Sequence, residues 1–142
     1  MPAGSKLSDA DANNLLDIIL SHSASNFPTT WYFALLITAA TDDTGAGAVE
    51  VTGAGYARVA VVANLTNFPA AVARLKAAVA DIQWPTATAD WAAGATQVVG
   101  VAMYDAATVG VYRGYGALAA AVNVLTGGAP VIAAGAFTMT AA

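Results

Sequence analysis

The sequence has no cysteine, one histidine and only five basic residues in 142 positions. Without cysteine there is no disulfide framework, no thiolate nucleophile and no zinc knuckle, a composition compatible with a reducing cytoplasm. Charged residues make up 10% of the chain, against ~25% in ordinary globular domains. A net charge of −4 with so few cations leaves no basic stripe for a phosphate backbone, so direct nucleic-acid binding is not expected. Long hydrophobic runs are also missing. The longest bulky apolar stretch, WYFALLITAA from Trp31 to Ala40, is about half of the ~20 residues that a spanning helix needs. No membrane span is therefore expected, although mean hydropathy is +0.61. The opening MPAGSKLSDADANN has one lysine and no apolar run, so no secretory leader is expected either.

What the chain has in abundance is small apolar side chain. Hydrophobic residues make up 58%, and 37 positions are alanine. A chain so poor in charge is expected to cover part of its surface with copies of itself, as a homo-dimer or homo-trimer, or with another protein. Its length suits one domain over residues 1–142.

Ser8 followed by Asp11 is a capping-box start with Asp in place of Glu or Gln. Leu15, Leu16, Ile18, Ile19 and Leu20 then fill one broad helical face, predicting a helix over 8–21. SHSASNFPTT ends it, with Pro28 in an extended connection. From residue 31 the signal is β. Trp31–Thr38 reads as a buried strand, Val49–Thr52 as a short one, and 56–63 as a strand with Val59 and Val61 on one face. FPAAVARLKAAVADIQWP fits a helix or a loop followed by a strand at Ala78–Trp84, and the second reading is preferred. Further strands are expected at Thr96–Tyr104, Val109–Leu118, Val122–Leu125 and Val131–Thr140. Strands this short and this frequent predict an all-β protein, a jelly-roll-like antiparallel β-sandwich over 31–140 behind one short N-terminal helix.

Residues able to do chemistry are few and scattered. His22, the lone histidine, sits past the helix with no strained nucleophile turn nearby. Asp42 and Asp43 lack the alternating ligands of a calcium loop and read as a solvated loop. Gly53-Ala54-Gly55 lacks the lysine and the strand–turn–helix setting of a phosphate loop and reads as a turn. Asp81, Asp90 and Asp105 fall in separate segments, where each is expected to cap a turn. No catalytic residue, metal site or cofactor is expected. Trp84 and Trp91 read as plugs for the two ends of a sandwich. Arg113, between Tyr112 and Tyr115, reads equally as an interface anchor or as a cross-strand partner. The candidate interface residues are Phe27, Trp31, Tyr112, Arg113 and Tyr115.

Four blocks, in order, resemble a family of small tailed-phage virion proteins commonly labelled tail fibre proteins. They are NNLLDIIL with the strand ending LITAATDD, then GAGYARVAVVANLTNFPAA, then WPTATADWAAGATQVVGVAMYDAAT, and last YGAL with GGAPVIAAGAFTMT. Together they span about residues 13–140. The chain departs from the family pattern at turn and packing positions. Ala92 replaces a usual Gly, Trp84 replaces a common Phe, AATVG replaces AATGG, and Gly127-Gly128-Ala129 lacks a usual Asp. The resemblance implies a virion structural protein made in the host cytoplasm and carries over no catalytic residue. With its compact length and small-residue surface, the chain is expected to be a capsid cement protein. It would bridge subunits of the major capsid protein on the capsid exterior. A tail or tail-fibre component, such as a receptor-binding adaptor, is the alternative.

Overall fold

The computed structural model describes residues 6–21, 27–42 and 44–140, so His22 and Asp43 lie outside the described residues. The chain begins with β1 (Lys6–Leu7) and α1 (Asp9–Ser21). Ser8 stands between them as the helix N-cap. The Asp11 N–H donates to Ser8 Oγ (3.3 Å), and the Ser8 hydroxyl donates to Asp11 Oδ2 (3.2 Å). This is half of the capping box that the local sequence called for: the Ser8 N–H donates to the Arg113 carbonyl instead of to the Asp11 carboxylate.

Nine further strands follow among the described residues. They are β2 (Thr30–Thr38), β3 (Val49–Glu50), β4 (Val59–Val62), β5 (Leu75–Ala77), β6 (Ile82–Gln83), β7 (Val98–Tyr104), β8 (Tyr112–Val122), β9 (Val131–Ile132) and β10 (Thr138–Thr140). All pairings are antiparallel. The main sheet runs β1-β8-β7-β2, with β3 and β4 sharing the far edge of β2. Two ribbons, β5 with β10 and β6 with β9, complete the strand pairing. The protein is thus all-β and antiparallel behind one short helix, with strands forming 36% and helix 9% of it.

The core explains the unbroken apolar runs. Phe33–Leu36 of β2 and Val101–Met103 of β7 are buried at every position, so both faces of these central strands are covered. On one face Phe33, Leu35, Val101 and Met103 join Trp84, Trp91, Ile82 and Val124 in a single hydrophobic cluster. Phe137, from the segment between the ribbon strands β9 and β10, meets Phe33 edge-on at 5.0 Å. Val59 and Val61 also pack against this cluster, while Ala60 and Val62 are exposed, as period-2 alternation predicts.

Three strand expectations need correction. Val122–Leu125 is not a separate strand: β8 runs on to Val122, and Val124 makes an isolated bridge to Ala92. Val131–Thr140 is split into β9 and β10 by a turn in which Gly135 has φ of 76°. Of the expected Ala78–Trp84 strand only β6 forms, and a separate short strand, β5, lies just before it. In the last two cases a ribbon partner pairs with only two or three residues, and a strand ends where its ladder ends.

Candidate interaction surface

Two arrangements of charge lock the sheet. Arg58 forks onto Glu50 (Nη2–Oε2 2.7 Å) and lies 3.8 Å over the Tyr104 ring. Its Nη1 donates to the carbonyls of Ala106 (2.9 Å) and Val109 (2.8 Å) in the β7–β8 loop. Tyr56 sits beside it, donating to Glu50 Oε1 (2.8 Å) and accepting the Leu35 N–H (3.0 Å). Burial and the Glu50 carboxylate push the Tyr56 hydroxyl far above its ordinary value, so it stays a neutral donor.

Arg113 forms the second arrangement. Its guanidinium reaches Asp11 in α1 (2.7 Å) and Asp105 at the start of the β7–β8 loop (2.8 Å). Burial pushes the Asp105 carboxyl up, but the Val111 N–H and Arg113 outweigh it and hold the carboxyl below the usual carboxylate range. The group is therefore an anion at neutral pH. Asp81 and Asp90 do hold turns, but distant ones at Ala134 and Thr126 rather than turns in their own segments. Asp81 accepts the Ala134 N–H, and Asp90 accepts the Thr126 N–H and hydroxyl. Asp42 accepts from Thr44 and Ala46 within its own loop.

The structure separates the expected interface residues. Tyr112 shares a cross-strand row with Tyr104 and Tyr32. Trp31 is one residue out of phase with that row, so Tyr112 and Trp31 face opposite sides of the sheet. Tyr112 meets Tyr104 edge-on at 6.0 Å, and a Cβ on Gly45 (φ +85°) would fall 2.6 Å from its ring. Tyr115 is half-buried, and its ring occupies the space where a Cβ on Gly100 would sit. Arg113 is buried and engaged within the chain. Phe27 is half-buried ahead of β2. Trp31 packs on the core and lines an open groove.

That groove, about 580 Å³, has a floor of Trp31, Phe68, Met103, Phe137 and Met139. Leu65, Arg74 and Lys76 also line it, and neither cation forms an ion pair among the described residues. Arg74 is held there by a tight turn. Val72 and Leu75 exchange two backbone hydrogen bonds around Ala73 and Arg74, whose φ angles are 50° and 65°. This is the geometry of a type I′ turn, usually Asn-Gly, built here from two residues with a Cβ.

The second exposed feature is α1. Its buried side is Asp11, with Ala12, Asn14 and Ile18 half-covered. Leu16, Ile19 and Leu20 are 54%, 65% and 78% exposed. The apolar face that periodicity revealed points to solvent rather than into the chain's own core. Periodicity signals an apolar stripe but not what covers it. Apart from Trp31, already singled out as an interface candidate, the groove had no local signal, because its lining residues come from positions 31 to 139.

No described helix is long and apolar enough to cross a membrane. Among the described residues no three His, Asp or Glu gather as metal ligands would. What the fold and this surface define is a small all-β protein whose prominent exposed features are an apolar helix face and an apolar groove. Residues 6–140 match the family model of the Podophage GP4 fiber I protein gp80. The chain belongs to that family and is a phage virion structural protein. No curated protein matches it.

Proposed function

We propose that the chain is a structural subunit of a phage tail fibre, working by protein–protein contact as a homo-oligomer. The family match over residues 6–140 carries the fibre reading. The exposed Leu16, Ile19 and Leu20 face supports the contact reading, because contiguous exposed apolar surface on a β-protein marks a binding site. The capsid-cement reading rests on compact length, low charge and small side chains. A fibre subunit packed against its neighbours accounts for the last two equally well. No catalytic step, metal or cofactor enters this role.

Stoichiometry in purified particles tests it. A fibre subunit is expected at a few to a few dozen copies, against hundreds for a protein that coats the capsid. Particles lacking the chain should keep their heat resistance and lose adsorption to cells. Hundreds of copies, or particles that adsorb normally but release DNA at lower temperature, would establish the cement role against the capsid protein instead.

A further inference from the structure

We infer that helix α1 of one copy docks its Leu16, Ile19 and Leu20 face into the Trp31–Phe68–Phe137 groove of a second copy. This rests on the homo-oligomeric reading above and names the surfaces that would make the oligomer.

The helix needs a cover. At 13 residues it is near the ~12–15 residues below which an isolated helix is marginal in water. Among the described residues its own chain buries Asp11 and half-covers Ala12, Asn14 and Ile18. Leu16, Ile19 and Leu20 stand at i, i+3 and i+4, the spacing with which an amphipathic helix enters an apolar groove. The groove volume of about 580 Å³ lies within the ~300–1,000 Å³ typical of binding clefts.

Charge favours the same pairing. The helix carries Asp9, Asp11 and Asp17 and has no basic residue in its last turn. Its negative C-terminal dipole end is therefore uncompensated within the helix. Asp17 is exposed among the exposed leucines and forms no ion pair among the described residues. Arg74 and Lys76, two of the chain's five cations, line the groove with no carboxylate partner among the described residues. The other described pairs already consume Arg58 and Arg113. An acidic, apolar helix and a cation-rimmed apolar groove are complementary, and both are on the same chain.

The occupant is another copy because the chain's own helix is pinned elsewhere. Asp11 is tied to Arg113, and the Ser8 N–H donates to the Arg113 carbonyl (3.1 Å), so the first turn lies against β8. A helix-to-groove contact is head-to-tail, and it closes into a ring when the rotation between copies permits.

The absence of cysteine allows a clean cross-linking test on the full chain. Leu20→Cys and Leu65→Cys are made separately, both at exposed positions, and mixed under mild oxidation. The expected product is a mixed disulfide dimer containing one chain of each variant. Only Leu20→Cys homodimers would mean that helices pair with helices and would overturn the proposal. In a second arm, Arg74→Glu with Lys76→Glu should weaken self-association roughly tenfold or more, as like charges face each other. Adding Asp17→Lys to the same chain should restore it. An oligomer that survives both Leu16→Glu and the charge reversal, with circular dichroism unchanged, would refute this interface and leave the oligomeric reading standing. A wild-type chain that sediments as a monomer at micromolar concentration would overturn both.

Discussion

Asp11 and Arg113, 102 residues apart in the chain, meet at 2.7 Å in a buried ion pair that ties the start of α1 to β8. Asp11 also accepts the Ser8 hydroxyl and donates its N–H to Ser8 Oγ at the helix start. One carboxylate thus starts the helix and anchors it to the sheet. Removing the arginine leaves that carboxylate buried with no cation, which is strongly unfavourable. Arg113→Met is expected to cost about 3 kcal/mol of unfolding free energy, the lower end for breaking a buried pair. Asp11→Asn combined with Arg113→Met should cost less than the two single changes added together. Urea denaturation of the four proteins checks this, and additive losses would show that the pair is not coupled.

Val109 is 85% exposed, with φ of 56° at the tip of the β7–β8 loop. A β-branched residue in the left-handed region is strained. The family pattern AATGG places glycine there. Arg58 holds the Val109 carbonyl at 2.8 Å, so the turn keeps its shape regardless of the side chain. Val109→Gly should therefore stabilise the protein by about 0.5–1 kcal/mol, the relief of strain exceeding glycine's entropy cost. A lower melting temperature would count against the strained turn.

Trp84 and Trp91 are both buried, yet they differ at the indole nitrogen. The Trp91 N–H donates to the Ala54 carbonyl at 2.9 Å, and its ring meets Tyr56 edge-on at 5.3 Å. The Trp84 N–H has no protein acceptor among the described residues. Trp84→Phe restores the family's common residue. It removes a buried, unsatisfied donor worth ~1–3 kcal/mol, which offsets the lost ring volume. The change should stay within about 1 kcal/mol of wild type. Trp91→Phe loses a bond to the Gly53–Gly55 turn as well as volume, and should cost about 2 kcal/mol or more. Equal losses in a thermal scan would refute the distinction.

Asp42, Asp90 and Asp105 all hold their carboxyls below the usual range. Thr44 is the main cause at Asp42, and the Thr126 N–H at Asp90. At Asp105, burial opposes the shift, and Val111 with Arg113 overcomes it. A depressed folded-state value means that the unfolded chain binds the proton more readily. The stabilisation is complete above the unfolded value of about 4 and is lost as pH falls below it. The melting temperature should be nearly flat from pH 8 to 5 and drop below about pH 4. Asp105→Asn should lower stability at neutral pH and shallow the acid drop. An acid limb unchanged in this variant would rule out Asp105 as its source.

Some of this protein was legible from residue order alone. Ser8 and Asp11 announced the helix start, because a capping box is a contact across three residues. WYFALLIT announced a strand covered on both faces, whereas the turns that Asp81 and Asp90 hold, at Ala134 and Thr126, lie far along the chain and were not announced. The four ordered blocks announced the family. What the order of residues left open were the partners that topology brings together. Nothing near Arg113 in sequence pointed to Asp11, and nothing near Arg58 pointed to the carbonyls of Ala106 and Val109. Arg113 kept two readings, interface anchor or cross-strand partner, until the fold placed two carboxylates on its guanidinium. The long apparent strand after Val131 broke at the turn around Gly135, and its two halves pair with different short partners, β6 and β5. The helix stripe was visible as apolar, while its outward direction was set by where Asp11 is tethered. Local hydrogen bonds and periodicity act over a few residues and can be read along the chain. Burial, long-range pairing and the groove depend on distances in space, which only the folded sheet defines.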